Sequence, residues 1–272
     1  MECKTLVGPI RVIPKDLINS YSMNGKVKIV NMYEEGIHDL LNTNWDESYI
    51  NSYKNKYSLY NIINNNVGLE PYGNNNSKNS ASKFHYIAFK HYFSTINCKN
   101  LNVAIIGSTS PWIESILLNF GCEMLTVVEY NPPNIINYPF IKSISYDEFV
   151  KSNIKYDIIV SYSSVEHSGL GRYGDILNPS GDFEAMNEIS SHIKDETGLL
   201  FWGAPIGNDI LAWNSHRIYG KQRLPILFKN FKILSFIDTS NIVKPFSQDN
   251  FKHLFNQSPL GFLQPIIIAT KI

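Results

Sequence analysis

Cysteine is scarce in this chain. There are three, Cys3, Cys98 and Cys122, far apart and in no CxxC pair. Neither a zinc knuckle nor a disulfide framework is expected, and free thiols in a reducing cytoplasm are. Net charge is absent as well: 24 Lys and Arg balance 24 Asp and Glu. A broad basic surface for nucleic acid is therefore not expected. No segment approaches the ~20 apolar residues of a membrane span. Glycine is thin where it would matter most. The turn after the strongest apolar run has one glycine, Gly107, where a dinucleotide fingerprint has three.

What is present centres on residues 102–131, NVAIIGSTSPWIESILLNFGCEMLTVVEYN. Val103 to Ile106 have the length and type of a buried parallel strand. A short polar turn, residues 107–110, follows. Pro111 suits a first helical position, with Ser110 as N-cap. Ile113, Ile116, Leu117 and Phe120 share one helical face, and Gly121 stops the helix. A second strand over 125–128 ends at Glu129. Strand, loop, helix, strand, with an acid roughly 20 residues after the glycine, is the layout of a mononucleotide-binding half.

The chain of 272 residues suits one large domain with an N-terminal extension or cap over 1–80. Asparagine, glycine and proline crowd residues 64–76, which reads as loop. Parts of 34–41 and 46–63 read as helical. Residues 81–96 read as an amphipathic helix with Phe84, Ile87, Ala88 and Phe93 inward and His85 and His91 on the remaining surface. Further strands are expected over 140–144, 156–161 and 199–204. Ser145 and Glu148 form a capping box. The helix over 183–193 has Asp182 as a plausible cap, and a short helix covers 223–228. Strands over 231–237 and 265–270 pair antiparallel at one edge. The total is a seven-stranded, mostly parallel, doubly wound α/β sheet.

Two polar stretches carry the chemistry. Residues 163–182 follow the fourth strand and combine glycines with Glu166, His167, Arg172, Tyr173, Asp175 and Asp182. Loops at the carboxyl ends of parallel strands are where ligands sit in open α/β sheets. Residues 212–220 add His216, Arg217 and Tyr219. His167 or His216 suits the role of a base near neutral pH. Arg217 suits carboxylate, phosphate or sugar hydroxyls, or an ion pair with Asp175 or Asp182. Glu166, His167, Asp175, Asp182 and His216 are also residue types that ligate a divalent ion such as Mg²⁺ or Mn²⁺.

The order of elements and the stretch YDIIVSYSSVEH, residues 156–167, resemble class I S-adenosylmethionine-dependent methyltransferases. More narrowly, SSVEHSGLGRYGDILNPSGD and NSHRIYGKQRLPILF look like the DUF268 family. The superfamily resemblance covers roughly residues 81–272 and implies S-adenosylmethionine as cofactor. Gly107, Ser108 and Ser110 would line its methionine end, Glu129 would bind the ribose hydroxyls, and Ser145 or Tyr146 would approach the adenine. Ser161 and Ser163 would line the floor. The superfamily's loop is usually an acid followed by several glycines, and here Ile105 and Ile106 precede the one glycine. The cofactor's ammonium group thereby loses a usual indirect partner.

The expected activity is methyl transfer to an oxygen of a small molecule, a sugar or glycan precursor. Its catalytic candidates are His167, His216 and Asp175. Its acceptor-binding candidates are Glu166, Arg172, Tyr173, Asp182, Arg217 and Tyr219. Two other readings stay open. One is a methyltransferase-like binding protein without activity, whose cleft would be filled by Trp112 or the N-terminal arm. The other is a metal-dependent, sugar-modifying enzyme.

Overall fold

A computed structural model describes residues 9–34, 44–64 and 81–272. Its centre is an eight-stranded sheet. In chain order the strands are β1 (Asn102–Ile106), β2 (Met124–Glu129), β3 (Ile141–Ser145), β4 (Ile158–Tyr162), β5 (Leu199–Gly203), β6 (Phe231–Ile237), β7 (Val243–Pro245) and β8 (Ile266–Lys271). In space they run β7-β6-β8-β5-β4-β1-β2-β3. The first five pair in parallel, and β8 runs antiparallel to both β5 and β6.

The apolar runs make these strands because both faces are covered. Val103 and Ile105 enter one buried cluster, and Ala104 and Ile106 enter the other. Ile158, Val160 and Tyr162 face the first, and Ile159 the second. A strand buried on both faces needs continuous apolar character rather than alternation. Helices α1 (Ala81–Phe93) and α2 (Trp112–Asn119) cover the first face. The second cluster draws on α3 (Tyr146–Lys151), α4 (Gly181–His192) and α5 (Arg223–Leu227).

Several sequence expectations change. The strand over 265–270 is not at an edge: β8 inserts between β5 and β6, where Ile266, Ile267 and Ile268 are fully buried. The pairing with β6 is antiparallel as expected. Pro111, not Ser110, is the N-cap of α2, and it offers no side-chain acceptor. The Ser145–Glu148 capping box forms. The polar and aromatic patch of residues 212–220 falls largely in paired strands, Ile210–Asn214 and His216–Ile218. His85 is not on the surface. It is fully buried, edge-on to Trp112 and Tyr162, while His91 is exposed.

The described N-terminal residues share the core with the rest. Lys28–Met32 pairs in parallel with Ile210–Asn214. Ile13, Tyr21 and Val27 cluster with Leu170, Leu211 and Trp213. Asn44–Asp46 pairs with Asn134–Ile136, and Trp45, Ile50, Tyr57 and Ile62 join the cluster of β1. The helix Glu47–Lys56 starts on an Asp46 cap, and Leu59–Ile63 follows. Most of the helical reading at 34–41 lies outside the described residues, as does the loop over 65–76. Among the described residues no helix is long and apolar enough to cross a membrane.

A buried hydrogen bond is among the ties between the N-terminal arm and the polar loop after β4. The Tyr21 hydroxyl donates to the Gly169 carbonyl at 2.5 Å, out of reach of water. Tyr21→Phe is expected to lower stability by about 1 kcal/mol, the net value of such a bond plus its orphaned carbonyl. The urea midpoint at unchanged slope measures it.

Candidate functional site

Strand order reverses between β1 and β4: from β1 the chain moves outward through β2 and β3, then returns to β4 on the other side. Loops leaving the two strands diverge there, which opens a crevice at their carboxyl ends. A cleft occupies this position. Its floor and one wall are Ile106, Gly107, Thr109, Val128 and Glu129, from the ends of β1 and β2. Tyr130 and Tyr146 stand beside Glu129 with ring centroids 5.3 Å apart. The opposite wall is Ser163, Ser164, Val165, His167, Ser168, Tyr173 and Asp175. Ala185 and Ile189 of α4 close it.

Gly107 turns the chain under the cleft with φ +84°, a left-handed conformation natural to glycine. Glu129 follows the last apolar residue of β2, and its Oε2 accepts the Tyr130 N–H at 3.1 Å. Burial pushes its carboxyl up to about 7. Glu114, in the first turn of α2, is fully buried, with the Ser108 hydroxyl as a polar neighbour. Burial raises it to about 7 as well. Two buried acids, one in the helix and one at the end of the strand that follow the Gly107 turn, favour a cationic over an anionic ligand group.

His167 ends a short 3₁₀ turn, Val165–His167. Its Nδ1 lies 2.6 Å from the Ser215 carbonyl. A carbonyl only accepts, so Nδ1 carries the ring proton and Nε2 the lone pair. Burial lowers the imidazole to about 3, with Arg172 adding to the effect. Asp175 lines the cleft but is also the loop's organiser: its Oδ2 accepts the Gly169 and Gly171 N–H groups at 2.7 and 3.2 Å, and its Oδ1 that of Tyr173 at 3.2 Å.

Of the cofactor candidates, Gly107, Glu129 and Ser163 line the cleft. Ser108, Ser110, Ser145 and Ser161 do not. Ser108 Oγ donates to the Ser110 carbonyl at 3.1 Å, Ser145 caps α3, and the Ser161 Oγ is buried without a partner. Tyr146, rather than Ser145, is the residue of that pair at the cleft. Of the others, His167, Tyr173 and Asp175 line it.

The remaining candidates do not line the cleft, and several are held by buried polar partners instead. Glu166 is buried beneath the wall. Asp182 does not cap α4, whose N-cap is Ser180; it lies fully buried and takes both its bonds from Arg223 Nη2, at 2.7 and 2.8 Å. Arg217 holds the loop from inside, donating to the Ser168 carbonyl at 2.7 Å and the Glu166 carbonyl at 3.2 Å. Tyr219 is buried edge-on to Trp202. Arg172 pairs with Glu34 of the N-terminal arm and lies over the Tyr173 ring. His216 sits behind Ser215, its Nδ1 2.9 Å from the Ser215 Oγ, and burial lowers its pKa.

The metal reading is not supported. Among the described residues no group of three His, Cys, Asp or Glu side chains can hold an ion. Trp112 does not fill the cleft either; it packs into the core against His85 and Tyr162. Sequence reasoning passed over Thr109, Tyr130, Ser164 and Ser168, whose only signal was adjacency to Gly107, Glu129, Ser163 and His167. Ala185, Ile189 and Glu114 carried no signal, because only packing brings their helices against the loops.

With the site in view, comparison with known proteins adds one assignment. The family model described as "Caenorhabditis protein of unknown function, DUF268" matches residues 100–258, more than half of the chain. The chain belongs to the DUF268 family. The match spans β1 to the segment after β7 and contains every residue that lines the cleft. No curated protein sequence matches. Among solved structures, an S-adenosylmethionine-dependent methyltransferase from Clostridium acetobutylicum is 9% identical with a TM-score of 0.44, covering 72% of this chain and 94% of that one. A methyltransferase of the DUF858 family from Leishmania major is 6% identical with a TM-score of 0.41, covering 82% and 83%. Mitomycin 7-O-methyltransferase is 7% identical with a TM-score of 0.42, covering 70% and 53%. Likeness at this level carries no argument about chemistry, and the site itself has to supply one.

Proposed function

We propose that this DUF268 protein is an S-adenosylmethionine-dependent O-methyltransferase whose acceptor is a small hydroxylated molecule, a sugar or a glycan precursor. One observation carries the reading. The cleft at the strand-order reversal is lined by two acids, Glu129 and Asp175, and among the described residues by no lysine or arginine. A nucleotide with a phosphate chain would face carboxylates there without a counter-charge. A cofactor that joins a nucleoside to a sulfonium and an ammonium meets complementary charge.

Glu129 would accept from the ribose hydroxyls with the oxygen that Tyr130 leaves free. The turn at Gly107 and Thr109 would hold the methionine end, with the buried Glu114 carboxyl in the following helix as a further source of negative charge. Tyr130 and Tyr146 offer faces for the adenine. When bound, the cofactor supplies an electrophilic methyl on sulfur and leaves as a neutral thioether. The acceptor would lie against Ser163, Ser164, Ser168 and Tyr173, whose hydroxyls suit a hydroxyl-rich partner. His167 Nε2, unprotonated, would accept the proton of the reacting hydroxyl. A cytoplasmic setting fits the free Cys98 and Cys122.

The test is isothermal titration with S-adenosylmethionine and with S-adenosylhomocysteine. Saturable binding is expected for both. Glu129→Ala should weaken it at least about tenfold, the scale of one charge-assisted hydrogen bond. A folded protein that binds neither ligand ends this reading.

A further inference from the structure

Glu166 is the least explained residue near the cleft. It is 1% exposed, with Ser163 and the Ser164 backbone as its polar neighbours and no salt bridge to an arginine or lysine among the described residues. A carboxyl in that state is more costly than an apolar side chain of the same size. It shares a single 3₁₀ turn with His167. Its Oε1 lies 3.7 Å from His167 Nε2, the nitrogen left bare by the Ser215 bond. Among the described residues it is the one carboxyl within ion-pairing distance of that ring.

The other groups facing the imidazole make a lone proton there unfavourable. Arg172, Arg217 and His216 all oppose charge on His167. Tyr173 contacts it with a ring edge, centroids 5.5 Å apart. Glu34, the nearby acid of the N-terminal arm, is committed to Arg172 and to the Ser215 hydroxyl. Among the described residues, Glu166 is the carboxylate placed to compensate an imidazolium at this position.

We infer that Glu166 is a positioning residue that makes His167 a usable base: its ionised carboxylate stabilises the proton that Nε2 accepts. The inference rests on the proposed reaction for its purpose, but not for its geometry. In the step, the acceptor hydroxyl loses its proton to Nε2 as its oxygen bonds to the methyl carbon, and the C–S electron pair stays on the departing sulfur. The products at the wall are an imidazolium and a carboxylate side by side, net neutral, and the proton leaves through either group. Glu166 therefore acts through His167 and does not touch the acceptor, a correction to its expected place among the acceptor-binding residues.

Burial pushes the Glu166 carboxyl up to about 7, so it changes charge near neutral pH. The test uses the free, full-length protein with ¹⁵N-labelled histidine and ¹³C-labelled glutamate. The Glu166 carboxyl carbon should titrate near pH 7, and the signal of His167 Nε2, itself unprotonated in that range, should report the same midpoint. That step in the Nε2 signal should vanish in Glu166→Gln and return, at a shifted midpoint, in Glu166→Asp. The Nδ1 tautomer should persist in all three. If the wild-type signals share no midpoint, or if His167 carries its proton on Nε2, the inference is overturned, whether or not the variants fold. No cofactor is present in this measurement, so failure to bind S-adenosylmethionine would remove the proposed reaction without touching this result.

Discussion

Asp182→Ala is expected to cost about 3–5 kcal/mol of stability, a large part of what a domain of this kind possesses. Asp182 is fully buried between two arginines. Arg223 Nη2 reaches both of its oxygens at 2.7 and 2.8 Å, and Arg217 Nε stands 3.7 Å away. Both arginines are nearly inaccessible to water, at 1% and 2% exposure of the side chain. Alanine would leave two uncompensated buried cations. The damage would spread, because Arg217 also holds the Glu166 and Ser168 carbonyls of the cleft wall. Asp182→Asn, which keeps the shape and loses the charge, should fall between wild type and alanine. Urea unfolding with an unchanged slope measures all three. A loss for alanine below about 1 kcal/mol, the level of an exposed ion pair, would show that the cluster opens to water.

Gly107→Ala should damage the cleft first and stability second. A Cβ built on Gly107 would stand 2.1 Å from Ser164 Oγ and 2.2 Å from Ser164 Cβ, and its φ of +84° is unfavourable for alanine. Left-handed strain and local overpacking together put the cost at about 2–3 kcal/mol. Both residues line the cleft, so the displacement falls on the cofactor end of the site. Affinity for S-adenosylhomocysteine should drop at least about tenfold, the counterpart of 1.4 kcal/mol. Ser164→Gly added to Gly107→Ala should restore part of the affinity by removing the clash, while the backbone cost stays. Equal affinity for the single and double variants would mean that the clash is not what closes the site. The double-variant cycle gives the coupling directly.

How far the sequence can be read follows the range of the forces involved. Short-range preferences carried the first five strands, the Ser145–Glu148 capping box and the turn at Gly107. An apolar run such as residues 103–106 allows little but a strand buried on both faces, and a capping box is set within four residues. That Glu129 and His167 line the cleft was legible for the same reason: one ends a strand and the other lies in the loop after one, and the carboxyl ends of parallel strands open onto the cleft.

The rest depended on partners far away in the chain. Residues 212–220 read as a polar and aromatic patch with no strand assigned; Ile210–Asn214 is a strand because Lys28–Met32 and His216–Ile218 pair on its two sides. His85 read as surface because a helix pattern treats histidine as polar, and the Trp112 and Tyr162 rings that enclose it come from other elements. Asp182, Arg217, Glu166 and Tyr219 read as ligand-binding because charge and polarity in a loop after a strand usually face solvent. Folding instead drew them inward, where arginine and carboxylate compensate one another or wait beside a histidine. By itself the sequence determined a parallel α/β core and the place of its cleft, since both follow from local pattern and the order of elements. Only the tertiary structure decided which polar residues face that cleft, because desolvation and charge pairing act between side chains that meet only when the chain is folded.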